Sequence, residues 1–386
     1  MARHLLVTND FPPKTGGIQV YLHELWRRLE PGRAVVLTAS SDSGAQRFDT
    51  ASEMVIERVP ASTLYLPTRQ ALRAIEAAIE RHQPELVLLD PAWPLGLLGP
   101  HLSRPYGVVL HGAEVAIPGR LPFVASQLRH VLAHSKVAIC AGGYCEAEAR
   151  RNAAEHMPPV LQIPPGVDTS HFVPIDDARR SEVRASLSLR DDALLVSSYS
   201  RLVPRKGMDT LIRASVRLAG DFPSLRVTIG GSGRDRARLE RLAASTNAPV
   251  TFLGRVPEEQ LGDWLGASDL MVMDCRSRWL GLEQEGFGIV FLEAAACGVA
   301  QVAGRSGGSH EAVLEGVTGK VVADPRSVGA LAAAMGELLG DEARRRDYAL
   351  RSREVCVERF DWNVLAARLS EELAPFDRFS ADTVLT

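Results

Sequence analysis

Between residues 274 and 311 the chain reads DCRSRWLGLEQEGFGIVFLEAAACGVAQVAGRSGGSHE. The apolar run LMVMD (270–274) reads as a buried strand, and VAQVA (299–303) reads as the next one. A helix from about Ile289 lies between them, so the segment is a strand–loop–helix–strand unit. Glu285 stands in its Gly-rich loop, Glu293 on its helix, and Glu311 beside a Gly307-Gly308 turn. Strand-to-helix connections are where open α/β sheets take their ligands. Gly286 and Gly288 let backbone N–H groups come close to a ligand, and the helix points its positive end into the same space. N–H donors for phosphate beside carboxylates for hydroxyls suit a sugar nucleotide.

Outward from this unit, the same alternation fills the chain. Residues 4–8 form an apolar strand, NDFPPKTGG is the loop after it, and Gly16-Gly17 opens a helix with Ile18, Leu22, Leu25 and Leu29 on one face. AVVLT (34–38), a helix over 68–82, ELVLL (85–89), YGVVLH (106–111), a helix near 122–133 and KVAICA continue a doubly wound unit. IPPGVDTSHFVP (163–174), with three prolines, extends neither helix nor strand and marks a boundary. Beyond it the alternation restarts with ALLVSSYS, LRVTIGG, VTFLG and LMVMD. KVVAD (320–324) is the last strand, residues from Arg326 to about Ala374 are helical, and a loose tail is expected after Pro375. Two domains are expected, residues 1–172 and 173–360, followed by a final segment 361–386.

The 386 residues are too many for one ordinary core, which agrees with two domains. No apolar run is long enough to span a bilayer, and the N-terminus enters a strand with no leader-like stretch, so a cytoplasmic protein is expected. A net charge of −3 argues against a nucleic-acid binder. The five cysteines include no C-x-x-C pair and read as small core residues, not zinc ligands.

Other positions carry chemistry. Gly16 and Gly17 start a helix directly after the first strand's loop, which fits either an anion site or a tight turn. Arg201 and Lys206 in SRLVPRKG follow the strand ALLVSSYS and can offset charge on a departing diphosphate, whereas Arg205 reads as a solvated surface group. His111 closes an apolar strand ahead of Gly112, and Asp10 in NDFPP either meets a ligand or caps the turn. The dinucleotide fingerprint G-x-G-x-x-G is absent after the first strand. PFVASQLRHVLAHSK (122–136) is amphipathic, with Phe123, Val124, Leu128, Val131 and Leu132 opposite Arg129, His130 and Lys136. Such a segment suits either a sheet or an anionic lipid surface.

The motifs NDFPP…GGIQ, HGAEV, PPGVD, SRLVPRKG, CRSR and EGFGIVFLEA, with Glu285 and Glu293 spaced E-x7-E, span essentially the whole chain. Together they resemble the retaining glycosyltransferases of family 4, and within them the phosphatidyl-myo-inositol mannosyltransferases. The resemblance implies a GT-B fold, two Rossmann-like β/α/β domains facing each other across a deep cleft, with the last helix crossing back to the N-terminal domain. It implies transfer of mannose from GDP-mannose to a phosphatidylinositol mannoside, without a metal, by a cytoplasmic protein at the inner face of the plasma membrane. His111 would contact the transferred sugar, and Arg201 and Lys206 the diphosphate. Glu285 would meet the sugar hydroxyls and Glu293 the ribose diol. Gly16, Gly17 and the backbone of Phe287, Gly288, Ile289 and Val290 would surround the phosphates and ribose. Asp10 and His111 would lie toward the acceptor, and Arg276 and Arg278 toward the donor base or acceptor loop. Two positions depart from the pattern: Ala113, where relatives have a second histidine, and Ala300, where they have proline. A soluble-acceptor glycosyltransferase, a GT-B sugar-nucleotide epimerase and a non-catalytic nucleotide-sugar binder remain as alternatives.

Overall fold

A computed structural model describes residues 3–40, 44–60, 62–190 and 192–376. The tail expected beyond Pro375 lies, from residue 377, outside the described residues. The chain forms two units: one comprises the residues up to Pro165 and those from Trp362, the other runs over Gly166–Asp361.

The first unit holds β1 (His4–Thr8), β2 (Ala34–Ala39), β3 (Val55–Val59), β4 (Leu86–Asp90), β5 (Tyr106–Leu110), β6 (Ala138–Cys140) and β7 (Val160–Gln162). They pair in parallel in the order β3-β2-β1-β4-β5-β6-β7. Its connecting helices are α1 (Gly17–Trp26), α2 (Ala45–Ala51), α3 (Arg69–His82), α4 (Ala113–Ala116), α5 (Pro122–His134) and α6 (Gly143–Ala153). Both faces of the sheet are covered, which is why its central strands are continuous apolar runs. Leu5, Val7, Val87 and Leu89 join one core with Ile75 of α3 and Leu128 of α5. Leu6, Val36, Leu86 and Leu88 join the opposite core with Leu22 and Leu25 of α1.

This packing favours the first of the two readings of residues 122–136, a helix packed on the sheet. Leu128, Val131 and Leu132 are completely buried, so the apolar face of α5 belongs to the core and is not available to lipid. The exposed apolar side chains lie at its start and just before it: Ile117, Leu121 and Phe123, the last 77% exposed.

The second unit holds β8 (Leu194–Tyr199), β9 (Leu225–Gly230), β10 (Val250–Gly254), β11 (Leu270–Met273), β12 (Gln301–Gly304) and β13 (Gly319–Val322), all parallel, in the order β10-β9-β8-β11-β12-β13. Around it run α7 (Asp177–Ser186), α8 (Met208–Leu218), α9 (Arg236–Ser245), α10 (Glu258–Gly266), α11 (Ile289–Ala296), α12 (Val328–Gly340) and α13 (Glu342–Arg359). Strand β12 begins at Gln301, later than the apolar run suggested, because Val299 and Ala300 end the turn from α11; Ala300 is fully buried there.

The units divide at Pro165/Gly166, ahead of the boundary expected at residue 172. Val167 and Phe172 are buried in the second unit's core, and Val167 N donates to Phe360 O at 2.9 Å, tying the two crossing segments together. The chain then returns as α14 (Trp362–Leu373). Its Trp362, Leu365, Ala366, Leu369 and Leu373 fall on one helical stripe and are buried with Tyr21, Leu22, Leu25 and Trp26 in the first unit. Arg33 adds hydrogen bonds to Ser370 Oγ (2.7 Å) and Ser370 O (3.0 Å).

Candidate active site

In the second unit, parallel strands place all their C-terminal loops along one edge. Strand β8 sits between β9 and β11, where the strand order reverses, and that reversal opens a crevice in doubly wound sheets. The β8–α8 loop carries Arg201, Arg205 and Lys206; the β11–α11 loop carries residues 274–288. The loops can touch because Gly207, at φ +70°, has no side chain: a Cβ there would lie 1.9 Å from Asp274 O. Arg276 N donates to Arg205 O at 2.8 Å across the same gap.

Lys206 is buried, and its Nζ lies 3.0 Å from Glu285 Oε2 and 3.6 Å from Met273 Sδ. Arg205 Nε lies 3.3 Å from the same Glu285 oxygen. Burial works to raise the Glu285 carboxyl, but Lys206 and then Arg205 outweigh it and hold the group below the usual carboxylate range. Arg205 is therefore part of the cluster and not the solvated group expected from the sequence. Arg201, in the same loop, is exposed and makes no ion pair among the described residues.

Glu293 is on the second turn of α11, half-buried, and burial followed by Glu258 pushes its carboxyl up to about 7. Gly288, at φ +90°, starts α11 in a conformation that favours glycine, and no side chain caps that helix. Ile289 and Val290 follow in its first turn. Phe287 is a core side chain, tilted against Phe360 at 6.1 Å, so only its backbone can serve a ligand. The Gly307-Gly308 turn packs on this loop, with Gly308 N donating to Glu285 O at 3.0 Å. Arg276 donates within the fold, from NH2 to Asp209 Oδ1 (2.7 Å) and from NH1 to Thr210 Oγ1 (3.2 Å). Arg278 donates to Glu283 Oε2 at 2.7 Å and lies 4.7 Å over the Trp279 ring.

In the first unit, β1, β4 and β5 are neighbours, so the residues at their C-terminal ends converge. His111 Nε2 is 2.8 Å from Asp90 Oδ1, and Thr8 Oγ1 donates to Asp90 Oδ2 at 2.5 Å. The Tyr21 ring stands edge-on to His111 at 5.4 Å. Burial disfavours the imidazolium, yet Asp90, then Glu114 and Asp10, raise the ring above its ordinary value. Burial and then Asp90 also raise Asp10, whose Oδ1 accepts from Gln19 Nε2 at 2.6 Å. Glu114 accepts from the N–H groups of His111 and Gly112 and so fixes the turn; Ala113 beside it is exposed. Gly16 and Gly17 are exposed at the start of α1, which no side chain caps. Asp90 was missed, although it closes the apolar run LVLLD just as His111 closes YGVVL.

Among the described residues no group of three or more His, Cys, Asp or Glu is arranged to hold a metal, and no helix is long and apolar enough to cross a membrane. Residues 15–171 match the model described as Glycosyltransferase Family 4, and residues 179–355 match Glycosyl transferases group 1. Solved structures share the fold. The sucrose-phosphate synthase of Thermosynechococcus elongatus has TM-score 0.76 at 22% identity, covering 97% of this chain and 98% of that one. Anabaena HepE, solved with UDP, has TM-score 0.80 at 19% identity, covering 97% and 100%. The solved structures share the GT-B fold, and the two family models define the class as a glycosyltransferase. The chain is 38% identical over 385 residues to the GDP-mannose-dependent alpha-(1-6)-phosphatidylinositol monomannoside mannosyltransferase of Mycolicibacterium smegmatis, covering 96% of this chain and 98% of that protein. It is 34% identical over 374 residues to the enzyme named for the monoacylated form of that acceptor in Corynebacterium glutamicum, covering 96% and 97%. The chain belongs to the Family 4 glycosyltransferases.

Proposed function

We propose that this glycosyltransferase moves mannose from GDP-mannose to a phosphatidyl-myo-inositol mannoside with retention of anomeric configuration. Near-full-length identity to proteins named for that donor and acceptor carries the reading. The Lys206–Arg205–Glu285 cluster supports it as a place for a diphosphate leaving group. In the reaction the bond from the mannosyl C1 to the phosphate oxygen breaks, and the acceptor oxygen bonds C1 on the same face. The acceptor's proton passes to the departing phosphate. Lys206 and Arg201 stabilise the charge left on the diphosphate, in keeping with a metal-independent enzyme. Glu285, held ionised by its cations, is a poor proton donor and accepts hydrogen bonds from sugar hydroxyls. In the second unit Glu293 takes the ribose diol and the backbone of residues 287–290 the phosphates; in the first unit the uncapped turn at Gly16 and Gly17 is suited to an anion. Asp90 takes His111 Nε2, so a sugar hydroxyl has Nδ1 to meet; Asp10 lies toward the acceptor.

The acceptor is lipid-linked, so the enzyme works peripherally at a membrane, inside the cell. The exposed Ile117, Leu121 and Phe123 support contact there through the start of the 122–136 segment. The test is turnover of GDP-mannose with a phosphatidylinositol monomannoside in anionic vesicles, with product configuration read by NMR. An α-linked product is expected, with Lys206→Ala slower by about 100-fold or more. A preference for UDP- or ADP-sugars, or full activity in Lys206→Ala, would sink the reading; turnover without vesicle binding would leave a soluble acceptor instead.

A further inference from the structure

Glu283 is the meeting point of cations from three loops. Its Oε2 is 2.7 Å from Arg278 NH1, and its Oε1 is 3.5 Å from Arg234 NH2 and 3.7 Å from Arg205 NH1. Arg278 is fixed to it twice over, because the two residues also exchange backbone hydrogen bonds of 2.9 and 3.2 Å. Arg205 follows β8 and Arg234 follows β9, while Glu283 itself follows β11, all at the crevice edge of the sheet. With Lys206 and Glu285 this makes a cluster of four cations and two carboxylates, leaving a positive surplus suited to a diphosphate. The separations from Glu283 to Arg234 and to Arg205 NH1 exceed those of a charge-assisted hydrogen bond, so Glu283 holds both by attraction alone, while Arg205 keeps its Nε on Glu285. Arg234 is 64% exposed along its side chain and can turn at little cost.

The geometry points to Glu283 as an internal stand-in for the donor's phosphate, a positioning residue that occupies Arg205 and Arg234 while the site is empty and yields them to the diphosphate on binding. Arg234 is then a further phosphate ligand. Because Glu283 stays within the field of the bound diphosphate, it also weakens the hold on the nucleoside diphosphate product and speeds its release. This inference rests on the donor-site reading above.

The experiment measures GDP and inorganic pyrophosphate binding to the full-length protein by calorimetry, with GDP dissociation followed by stopped flow. Glu283→Gln, which keeps shape and removes charge, is expected to bind both about ten-fold more tightly and to release GDP more slowly, with kcat and KM falling together. A merely structural Glu283 would give weaker binding and a lower melting temperature, and that result would overturn the inference. Arg234→Ala, altering a solvent-exposed arm, tests it without disturbing the core. An equal loss for GDP and pyrophosphate, about five-fold or more, is expected; no loss, or a loss confined to GDP, would overturn it. If the wild-type protein bound neither probe, the donor site itself would be wrong, a failure distinct from unchanged binding in Glu283→Gln.

Discussion

Asp274, directly after β11, carries a buried carboxyl. Burial pushes it from an ordinary 3.8 to about 8, against the pull of Arg276. The folded state therefore keeps a proton that the unfolded chain has lost, and stability falls as pH rises between those two values. The slope from this group is at most about 1.4 kcal/mol per pH unit, and it levels off above pH 8. Melting temperature is expected to drop between pH 6 and pH 9, and Asp274→Asn to remove that part of the drop; an unchanged slope in the variant would refute the assignment. Lys206, Glu285 and His111 were legible because each follows an apolar run, and a parallel sheet puts the ends of such runs on one edge. Arg205, Glu283 and Arg234 were not, because their pairing joins loops far apart in the chain and leaves no periodic trace.

Strand β3 was also missed, for a related reason at the scale of elements. VIERV carries Glu57 and Arg58 where a central strand would be apolar, and among the described residues it pairs only with β2 at the sheet's edge, where half-exposed polar residues are tolerated. The central strands β1, β4, β5, β8 and β11 were plain, being covered on both faces. Helix α14 was legible as a helix, and the family resemblance sent it back to the N-terminal domain, but its pattern named no partner: the i, i+3, i+7 stripe from Trp362 says that something covers it, not that α1 does. Leu369 is completely buried in that interface. Leu369→Ala is expected to destabilise the first unit by about 2–5 kcal/mol. Hydrogen exchange should quicken in α1 and stay unchanged in α11; equal acceleration in both would refute the assignment of the helix to the first unit's core.

At the scale of the molecule, the first unit is discontinuous and the second is not. A fragment of residues 1–165 lacks the cover over Tyr21, Leu22, Leu25 and Trp26 and is expected to aggregate or melt without cooperativity. A peptide of residues 362–376 supplied in trans should restore a cooperative melt, read by circular dichroism. A fragment that is monomeric and melts sharply alone would contradict this. The returning helix also sets a timetable for biosynthesis. The ribosome makes seven strands of the first unit before any of the second, yet α14 leaves the ribosome only after all of Gly166–Asp361 has been made. Through that interval the nascent chain presents an uncovered aromatic and aliphatic face, a target for chaperones and a hazard for self-association. The unit that is begun first is thus finished last.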